Sequence, residues 1–557
     1  MNSDTLLIEI FTEELPPTIL KKLSNDFSIE FFNYLSQSSL TNIDSEIKVF
    51  ASPRRIGFQL TKVKKKAKSL TRDLKLIPKT LGYDKKGSPT DILKKKIFSL
   101  RSNPKYIFKN SKNINKLLNN EEIIKSVLKD IYSQSTGKQE TLFLKIEEKG
   151  VKLVDAVQLA FTTTLKKINI PKIMTYQEFY HSNSMLNIKF IRPVHKIIAL
   201  HGEKILKVNA LGLISGRITG GHRFFGPKEV SIPNASDYEN FLEQTGKVIP
   251  NFEKRKKIIL NKLKRKIQLN SLMLKNDLLE EITALCEFPA IYEGYFDKKY
   301  LNIPHECLIM TMQKNQKFIP VIDLEGKLTN KFYIVSNTPT KNPVNIINGN
   351  ERVLKARLSD AEFFYNFDKQ NKLVEKTILL KKIIYHNKLG NVFDRTQRLI
   401  ELTKKWGVKL GLKPGPCERA ALLSKADLTT KMVDEFPELQ GIMGKYYSEF
   451  SGENSNISIA IEEHYQPRFS GDKLPSTHLG NCLGLADRME SILSLWSIGI
   501  FPSGEKDPMG LRRNAISILR ILLENKINIS LDDLILDTAK VLEFEIVQDE
   551  KFFKIKS

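Results

Sequence analysis

The hydrophobic pattern of the chain changes near residue 378, and this change predicts two kinds of structure in one polypeptide. Before it, strand-like alternation at residues 6–10 is followed by apolar residues at helical spacing over residues 20–31. After it, almost every apolar stripe has the helical period, as over residues 395–406 and 418–433. We therefore predict an α+β protein with a mixed α/β N-terminal half and a mainly helical C-terminal half.

The length of the chain predicts several domains. It has 557 residues, and one domain typically holds roughly 150. A run rich in Lys and Asn, at about 62–122, predicts an exposed basic insertion. Residues 254–266 predict a helix with a solvated cationic face. The predicted regions are 1–245 (α+β, with the insertion), 246–375 (middle α+β), 376–530 (helical) and 531–557 (a short C-terminal remnant).

The charge balance favours a polyanionic partner. Lys and Arg number 88 against 63 Asp and Glu, which gives a formal charge of +25. Such an excess attracts nucleic acid and steers its encounter with the protein. Because Lys, Asn and Ile are all plentiful, an AT-rich genome would produce part of the same excess. Charge alone therefore does not decide the partner.

The N-terminus and the apolar content predict a cytoplasmic protein without a membrane partner. The longest apolar stretch, near residues 492–501, is far shorter than the roughly 20 residues that cross a bilayer. The first residues lack the charged and apolar regions of a signal peptide. The four cysteines form no C-x-x-C pair, and we predict that they are reduced thiols.

Common catalytic motifs are absent from the sequence. It contains no G-x-x-x-x-G-K-[ST] phosphate loop, no G-x-G-x-x-G dinucleotide motif and no H-E-x-x-H zinc motif. We predict no catalytic residue and no metal ligand in this chain. A large protein of this kind is often a subunit that supports a catalytic partner.

A glycine-rich segment at residues 216–227 places Arg217, His222 and Arg223 beside two adjacent phenylalanines. Glycines let a backbone approach phosphates, arginines pair with them, and exposed rings stack on bases. The same pattern also fits a glycine-rich turn with core phenylalanines.

Two further cationic pairs occur where strands are predicted to begin or turn. Arg54 and Arg55 lie in a short connection between two strands, and Arg192 and His195 precede the apolar residues 197–200. A histidine at such a position is more often a satisfied structural side chain than a ligand.

A charged amphipathic helix is predicted over residues 350–364. Arg352 and Arg357 could contact phosphates there. Alternatively, much of the charge is paired internally, because Glu351 and Lys355 have the i,i+4 spacing of a helical ion pair and Arg357 lies three residues before an aspartate.

Near the C-terminal end, Asp507 and Pro508 are the residue types that begin helices, and cations flank them. Lys506, Arg512 and Arg513 would then surround a helix N-terminus that suits an anion. A capped helix with solvated arginines is the alternative.

The segment at residues 423–427 invites comparison with HD-type metal phosphohydrolases, which need paired His and Asp ligands. No His-Asp dipeptide occurs in the sequence, and Lys425 stands near the ligand position. Glu463, His464 and Asp487 could line such a core without completing its ligand set. An HD-type phosphohydrolase and a general basic RNA-binding factor are the alternative functions.

Taken together, the sequence blocks resemble the β subunit of bacterial heterotetrameric glycyl-tRNA synthetase. The match is ordered and covers most of residues 1–530, and the Glu-Phe-Pro-Glu-Leu-Gln-Gly-Ile-Met-Gly block at 435–444 is the most specific part. The matching blocks are 9–17, 52–55, 190–195, 216–224, 335–337, 349–364, 425–444 and 504–513.

The resemblance implies a tRNA-binding subunit of glycine–tRNA ligase, an aminoacyl-tRNA synthetase that acts in the cytoplasm. A separate α subunit would bind glycine, ATP and Mg²⁺ in an α₂β₂ heterotetramer, and this chain would hold tRNA(Gly) without a cofactor of its own. The helical region would be a degenerate HD-like domain. Residues 531–557 would be a short remnant at the point where an anticodon-binding domain begins in the family, so we do not expect this chain to recognise the anticodon. The residues assigned to tRNA binding are Arg54, Arg55, Arg192, His195, Arg217, His222, Arg223, Arg352, Arg357, Lys506, Arg512 and Arg513.

Overall fold

The structure is a computed structural model, and its described residues divide into two compact units. The first unit is Met1–Leu269, Leu274–Tyr292 and Val335–Lys341, and the second is Asn270–Met273, Glu293–Ile334 and Asn342–Ser557. The finer division into four regions stays a prediction. The residues described are 3–84, 86–101, 106–107, 124, 127–136, 139–148, 150–180, 184–268, 271–502, 504, 507, 509–543, 545–549 and 552–556.

Strands are concentrated in the first unit and helices in the second, which confirms the predicted α+β fold with a mainly helical C-terminal half. The strands are β1 Ser3–Thr12, β2 Ile47–Ser52, β3 Arg55–Lys64, β4 Leu70–Pro78, β5 Tyr106–Ile107, β6 Ile131–Thr136, β7 Gln139–Glu148, β8 Met174–Tyr180, β9 Ser184–Phe190, β10 Val194–His201, β11 Lys204–Ile205, β12 Asn209–Ala210, β13 Leu213–Ile214, β14 Ile218–Thr219, β15 Val230–Ser231, β16 Ala290–Tyr295, β17 Ile319–Ile322, β18 Leu328–Ser336, β19 Ile384–His386, β20 Gly390–Asn391, β21 Glu545–Asp549 and β22 Phe552–Lys556. The α-helices are α1 Pro17–Gln37, α2 Lys79–Gly82, α3 Asp91–Arg101, α4 Leu153–Lys167, α5 Tyr238–Phe241, α6 Phe252–Lys264, α7 Asn276–Leu285, α8 His305–Met310, α9 Val344–Asp368, α10 Leu373–Lys376, α11 Val392–Lys409, α12 Pro414–Leu423, α13 Lys431–Glu435, α14 Ile442–Phe450, α15 Ser455–Glu463, α16 His478–Ser497, α17 Leu511–Glu524 and α18 Leu531–Val541.

The core of the first unit is a five-stranded antiparallel sheet with the order β11-β10-β1-β3-β2. Side chains of β1 alternate between its two faces, as strand geometry requires. Ile8 and its neighbours at even positions pack against α1 and α4, where Phe27, Phe31 and Phe161 are buried. Leu7 packs in a separate cluster on the opposite face. The predicted opening strand and amphipathic helix are therefore confirmed.

The register of the sheet brings distant sequence segments to one end of it. In β1, Phe11 pairs with Arg55 of β3, and Thr12 pairs with Val194 of β10. Because β1 runs antiparallel to both neighbours, the end of β1, the β2–β3 turn and the start of β10 lie at the same end of the sheet.

The described part of the predicted basic insertion is folded. Strands β4, β5, β6 and β7 form a small sheet, and α3 buries Leu93 and Ile97 in a core with Leu142 and Leu144. Residues 108–123 lie outside the described residues.

The predicted helix at 254–266 is observed as α6, but its cationic face is not wholly solvated. Arg255 is fully buried and donates to the carbonyls of Ile249 and Ala51, each at 2.7 Å. One cation of the run is therefore a structural hydrogen-bond donor.

The second unit is built mainly from helices around buried residues such as Trp406, whose indole N–H donates to Asp537 Oδ2 at 3.1 Å. The prediction of one helix over 418–433 is wrong. Helix α12 ends at Leu423, and α13 begins after Thr430, whose hydroxyl caps it by accepting from Val433 N at 3.4 Å. Among the described residues, no helix is long and apolar enough to span a membrane.

Candidate functional site

The end of the five-stranded sheet gathers residues from four separated segments of the sequence. Thr12 N donates to the carbonyl of Arg54 at 2.8 Å, and Glu13 N donates to that of Pro193 at 3.0 Å. These bonds tie the end of β1 to the β2–β3 turn and to the start of β10. We name this group the strand-end cluster and define it as Phe11, Glu13, Glu14, Arg54, Arg55, Arg192, His195, Gly220, His222 and Arg223.

Three basic side chains of the strand-end cluster are held by the Glu13–Glu14 segment. His195 Nε2 lies 2.9 Å from Glu13 Oε1, and this hydrogen bond lowers the pKa of the Glu13 carboxyl below its ordinary value. Arg223 Nη1 lies 2.8 Å from Glu14 Oε1, and Arg192 Nε donates to the carbonyl of Glu14 at 3.2 Å. Because both side-chain contacts with carboxylates are exposed, each contributes about 0–1 kcal/mol. A phosphate can therefore replace either carboxylate at little cost.

The adjacent residues Arg54 and Arg55 differ in burial. Arg54 is half-buried, and its guanidinium carbon lies 4.7 Å from the Phe11 ring centroid. Arg55 is fully buried, donates through Nη2 to the carbonyl of Gly220 at 2.9 Å, and lies 3.4 Å from Glu287 Oε1. Burial alone would lower the pKa of Arg55, but the nearby Glu287 carboxylate helps to raise it overall. Because Arg55 is fully buried, RNA in solvent cannot reach its guanidinium group. This corrects the expectation that Arg55 contacts tRNA.

The loop that follows β14 is tightly packed at its glycines. A Cβ at Gly220 would lie 2.4 Å from the Phe11 ring, so the close approach of these segments requires glycine. His222 is buried, and its ring stacks on Phe225 with centroids 3.7 Å apart. His222 is thus a structural side chain, which corrects its assignment to direct tRNA contact.

The two phenylalanines of this loop are not core residues. Phe224 is 71% exposed and Phe225 is 37% exposed, so the alternative interpretation of a turn with core phenylalanines is wrong for both. Arg217, which precedes β14, is half-buried and donates through Nη2 to the carbonyl of Glu203 at 2.7 Å.

A buried polar network that the sequence did not indicate lies behind the strand-end cluster. The Glu9 carboxylate, fully buried in β1, accepts hydrogen bonds from the hydroxyls of Thr219 and Tyr238. Burial raises the pKa of the Tyr238 hydroxyl well above its ordinary value, so it stays a donor. Glu287 Oε1 accepts from Ser52 Oγ at 3.0 Å. The network fixes the Thr219 end of the glycine loop to the sheet.

In the second unit, α9 presents unpaired cations. Arg352 and Arg357 are exposed, and in the described part of the chain neither has a hydrogen-bond or ion-pair partner. The predicted pairing of Glu351 with Lys355 is wrong, because Glu351 Oε1 instead accepts from Tyr295 N at 2.8 Å.

The predicted helix start at Asp507 is also wrong. Helix α17 begins at Leu511, after Gly510, whose φ of 69° is in the left-handed region that favours glycine. Asp507 Oδ2 still accepts from Arg512 N at 3.2 Å. Arg513 is exposed and lines a cavity of about 410 Å³. Lys506 and Pro508 lie outside the described residues.

A buried charged group occupies the middle of the helical unit, at the segment compared with HD-type phosphohydrolases. Lys425 Nζ lies 2.9 Å from both His464 Nε2 and Asp487 Oδ1. His464 Nδ1 bonds the carbonyl of Ile461 at 2.7 Å, which leaves Nε2 to accept from the ammonium. Arg395 Nη2 also lies 2.9 Å from Asp487 Oδ1, and its Nε lies 2.7 Å from Glu490 Oε2. We name Arg395, Lys425, His464, Asp487 and Glu490 the lysine hub.

Burial and pairing shift the ionisation of the lysine hub. Burial lowers the pKa of Lys425 to about 8, although Asp487 opposes this effect. Burial, and then the charge of Lys425, hold the pKa of His464 well below its ordinary value. For Asp487, burial would raise the pKa, but Arg395 and Lys425 more than offset this and lower it. The carboxylate is therefore an anion between two cations.

The other acidic residues singled out in this region have structural roles. Glu463 accepts from the backbone N–H groups of Ser476 and Thr477, at 2.8 and 3.0 Å. Asp427 Oδ2 accepts from the N–H groups of Gly441 and Gly444, and burial raises its pKa to about 6. Within the described ranges, no group of three or more His, Cys, Asp and Glu side chains is arranged to hold a metal ion.

Comparison with known proteins gives a match along nearly the whole chain. A family model described as glycyl-tRNA synthetase beta subunit matches residues 6–556. The glycine–tRNA ligase beta subunit of Nitrosomonas europaea is 42% identical over 98% of this chain and 74% of its own length. That of Ralstonia nicotianae is 40% identical over 99% of this chain and 75% of its own length.

One solved structure is similar over a smaller part of the chain. It is described as a predicted HD superfamily hydrolase from an uncultured Thermotogales bacterium, and the similarity covers 28% of this chain and 87% of that one at 16% identity. Its TM-score of 0.19 is too low to support a statement about the fold.

Proposed function

Since the chain belongs to the glycyl-tRNA synthetase beta subunit family, we propose that it binds tRNA(Gly) while a separate α subunit catalyses glycine attachment. The observation that carries this proposal is the family match over residues 6–556, with relatives about 40% identical along almost the whole chain. Their description as beta subunits implies a partner subunit.

Basic side chains that solvent can reach support the role in tRNA binding. In the strand-end cluster, Arg192, His195 and Arg223 are oriented by weak, exposed contacts that a phosphate can replace. In the second unit, the exposed Arg352, Arg357 and Arg513 are additional candidates. The formal charge of +25 favours the encounter with a polyanion.

The proposed division of labour assigns the chemistry to the partner. The α subunit would bind glycine, ATP and Mg²⁺, and two copies of each chain would form an α₂β₂ heterotetramer in the cytoplasm. This chain would position the tRNA so that its acceptor end reaches the partner's active site.

The lysine hub does not favour the alternative of an HD-type phosphohydrolase. The lone pairs of His464 and Asp487 that would bind a metal ion already accept the Lys425 ammonium at 2.9 Å. An ammonium at that position repels a divalent cation and neither polarises nor activates a water as a metal does.

The test is to combine the full chain with a candidate α subunit and to measure glycine attachment to tRNA. Charging is expected from the mixture and from neither chain alone; charging by this chain alone would contradict the proposal. Affinity of the chain for tRNA should fall by roughly 0.7–0.9 log units per log unit of salt for each phosphate neutralised. Equal binding to every tRNA, with no effect on charging, would instead indicate a general RNA-binding factor.

A further inference from the structure

The exposed side of α9 carries two phenylalanines and two cations. Leu354, Leu358 and Ala361 bury the opposite side of the helix. Arg352 and Phe363 are separated by eleven residues, about three helical turns, so they lie along one line of the surface. We name Arg352, Lys355, Phe363 and Phe367 the α9 stripe.

The two phenylalanines of the α9 stripe form a solvent-facing aromatic surface. Phe363 is 64% exposed and Phe367 is 43% exposed. Their ring centroids lie 6.2 Å apart with an interplanar angle of 28°, close to a stacked arrangement. Two large apolar rings kept together in water contribute little to folding, since burial is what makes such side chains stabilising. Adjacent exposed aromatics therefore point to a binding surface.

The charges two to three helical turns before Phe363, on the exposed side of α9, are positive and unpaired. Arg352 and Lys355 are exposed, and neither has an ion-pair partner in the described part of the chain. Two nearby acids are occupied: Glu351 accepts from the backbone, and Glu362 lies 3.4 Å from Lys299 Nζ. Asp360 is also exposed and adds one negative charge beside the two positive charges of Arg352 and Lys355. The α9 stripe together with Asp360 therefore has a net positive charge.

This combination fits a single-stranded polyanion better than a protein surface. Burying unpaired arginine and lysine against another protein costs free energy unless each meets an acceptor. A single RNA strand supplies a phosphate for each cation and a flat base for each ring. Arg352 and Phe363 are about 16 Å apart along the helix axis, which leaves room for a short extended strand.

We infer that the α9 stripe binds unpaired nucleotides of the tRNA, with bases stacked on Phe363 and Phe367 and phosphates on Arg352 and Lys355. The inference rests on the proposed tRNA-binding function and names the part of the RNA that this surface recognises.

The test compares the full chain with the double variant F363A/F367A. The probes are a tRNA(Gly) transcript and a single-stranded oligoribonucleotide containing 2-aminopurine, whose fluorescence falls when the base stacks. The double variant should bind both probes about tenfold more weakly or worse, and the fluorescence decrease should be lost. Its salt dependence should not change, because no cation is removed.

The matched control is Phe469→Ala, since Phe469 is 62% exposed in a turn of the same unit. This variant should bind both probes like the unaltered chain. Arg352→Gln should lower the slope of log affinity against log salt by about 1.

The outcomes separate the two proposals. If the unaltered chain binds no tRNA, the proposed function fails and the inference with it. If it binds tRNA and F363A/F367A binds both probes equally well, only the inference is overturned. If the double variant keeps its RNA affinity but no longer supports charging with the α subunit, the α9 stripe is a protein-docking surface, and the inference is again overturned.

Discussion

The strand-end cluster and the lysine hub both gather charged residues from distant parts of the sequence, but in opposite environments. In the first, Arg223 and Glu14 are exposed and paired at 2.8 Å. In the second, Lys425 is almost fully buried, and Asp487 lies between it and Arg395, 2.9 Å from each. The distances are alike, so the difference in solvent exposure decides what each group can do.

An exposed ion pair exchanges partners at low cost, whereas a buried one cannot lose a partner without leaving a charge unsolvated. The strand-end cluster therefore suits reversible contact with an RNA backbone, and the lysine hub suits the stability of the helical unit. Variants that remove one charge from each group test this distinction.

The largest effect is expected for Asp487→Asn in the lysine hub. The change leaves Lys425 and Arg395 buried without the carboxylate between them, and breaking a buried pair in this way costs about 3–5 kcal/mol. Both tryptophans of the chain, Trp406 and Trp496, lie in the second unit. Tryptophan fluorescence during urea unfolding therefore measures the decrease in the stability of this unit.

The control for that variant is Glu462→Gln. Glu462 Oε2 lies 2.9 Å from Lys445 Nζ, in an ion pair that is more exposed than that of Lys425 with Asp487. The change should cost no more than about 1 kcal/mol. An Asp487→Asn protein as stable as this control would show that the hub is not a stabilising group.

A similarly large effect is expected for Arg55→Gln, which removes the fully buried arginine of the strand-end cluster. The variant loses the bond to the Gly220 carbonyl and leaves the buried Glu287 without its cation, at a cost of about 3 kcal/mol. Amide hydrogen exchange in β1 and β3 should become faster.

The control is the neighbouring variant Arg54→Gln, which removes a half-buried cation that lies over the Phe11 ring. That change should cost about 0.5–1 kcal/mol. If the two variants had equal effects, burial would not be what separates these adjacent arginines.

The pH dependence of stability should also distinguish the lysine hub. The pKa of Lys425 is about 8 in the folded chain and near its ordinary 10.5 in the unfolded chain. Between these values the unfolded state binds more protons, so the stability contributed at Lys425 rises with pH. Relative to that of the Lys425→Met variant, the free energy of unfolding of the unaltered chain should increase by up to about 3 kcal/mol between pH 8 and pH 10.5. Urea unfolding at several pH values measures this gain, and a flat or falling difference would contradict it.

The sequence predicts the elements of the fold better than it predicts the strand-end cluster. Periodicity locates β1 and α1 because each buries one regular face. The meeting of the Arg54 and His195 segments depends on β1 pairing with both β3 and β10, and no local pattern encodes that register. Arg54 and Arg55 look equivalent in sequence, because only Gly220 and Glu287, far along the chain, determine which one is buried.

Other features were missed for the same physical reason. Glu9 looks like a solvent-facing strand residue until Thr219 and Tyr238, more than 200 positions away, supply its hydrogen bonds. The break near residue 424 interrupts a convincing helical pattern because Asp427 accepts from the N–H groups of Gly441 and Gly444. In both cases tertiary hydrogen bonds override the local signal. The comparison with HD-type proteins, in contrast, groups Glu463, His464 and Asp487 around Lys425. The structure brings His464 and Asp487 into contact with Lys425, but Glu463 instead accepts from Ser476 and Thr477.

The smallest change in stability is expected in the exposed part of the strand-end cluster. Arg223→Gln should alter the free energy of unfolding by less than about 0.5 kcal/mol, because its ion pair with Glu14 is exposed. The same variant should weaken tRNA binding and lower the salt slope by about 1, since one phosphate contact is lost. Lys327→Gln, in an exposed pair with Glu325, is the control and should leave the slope unchanged. If Arg223→Gln instead destabilised the chain by more than about 2 kcal/mol without altering the slope, the strand-end cluster would be a structural group like the lysine hub, and exposure would no longer distinguish the two.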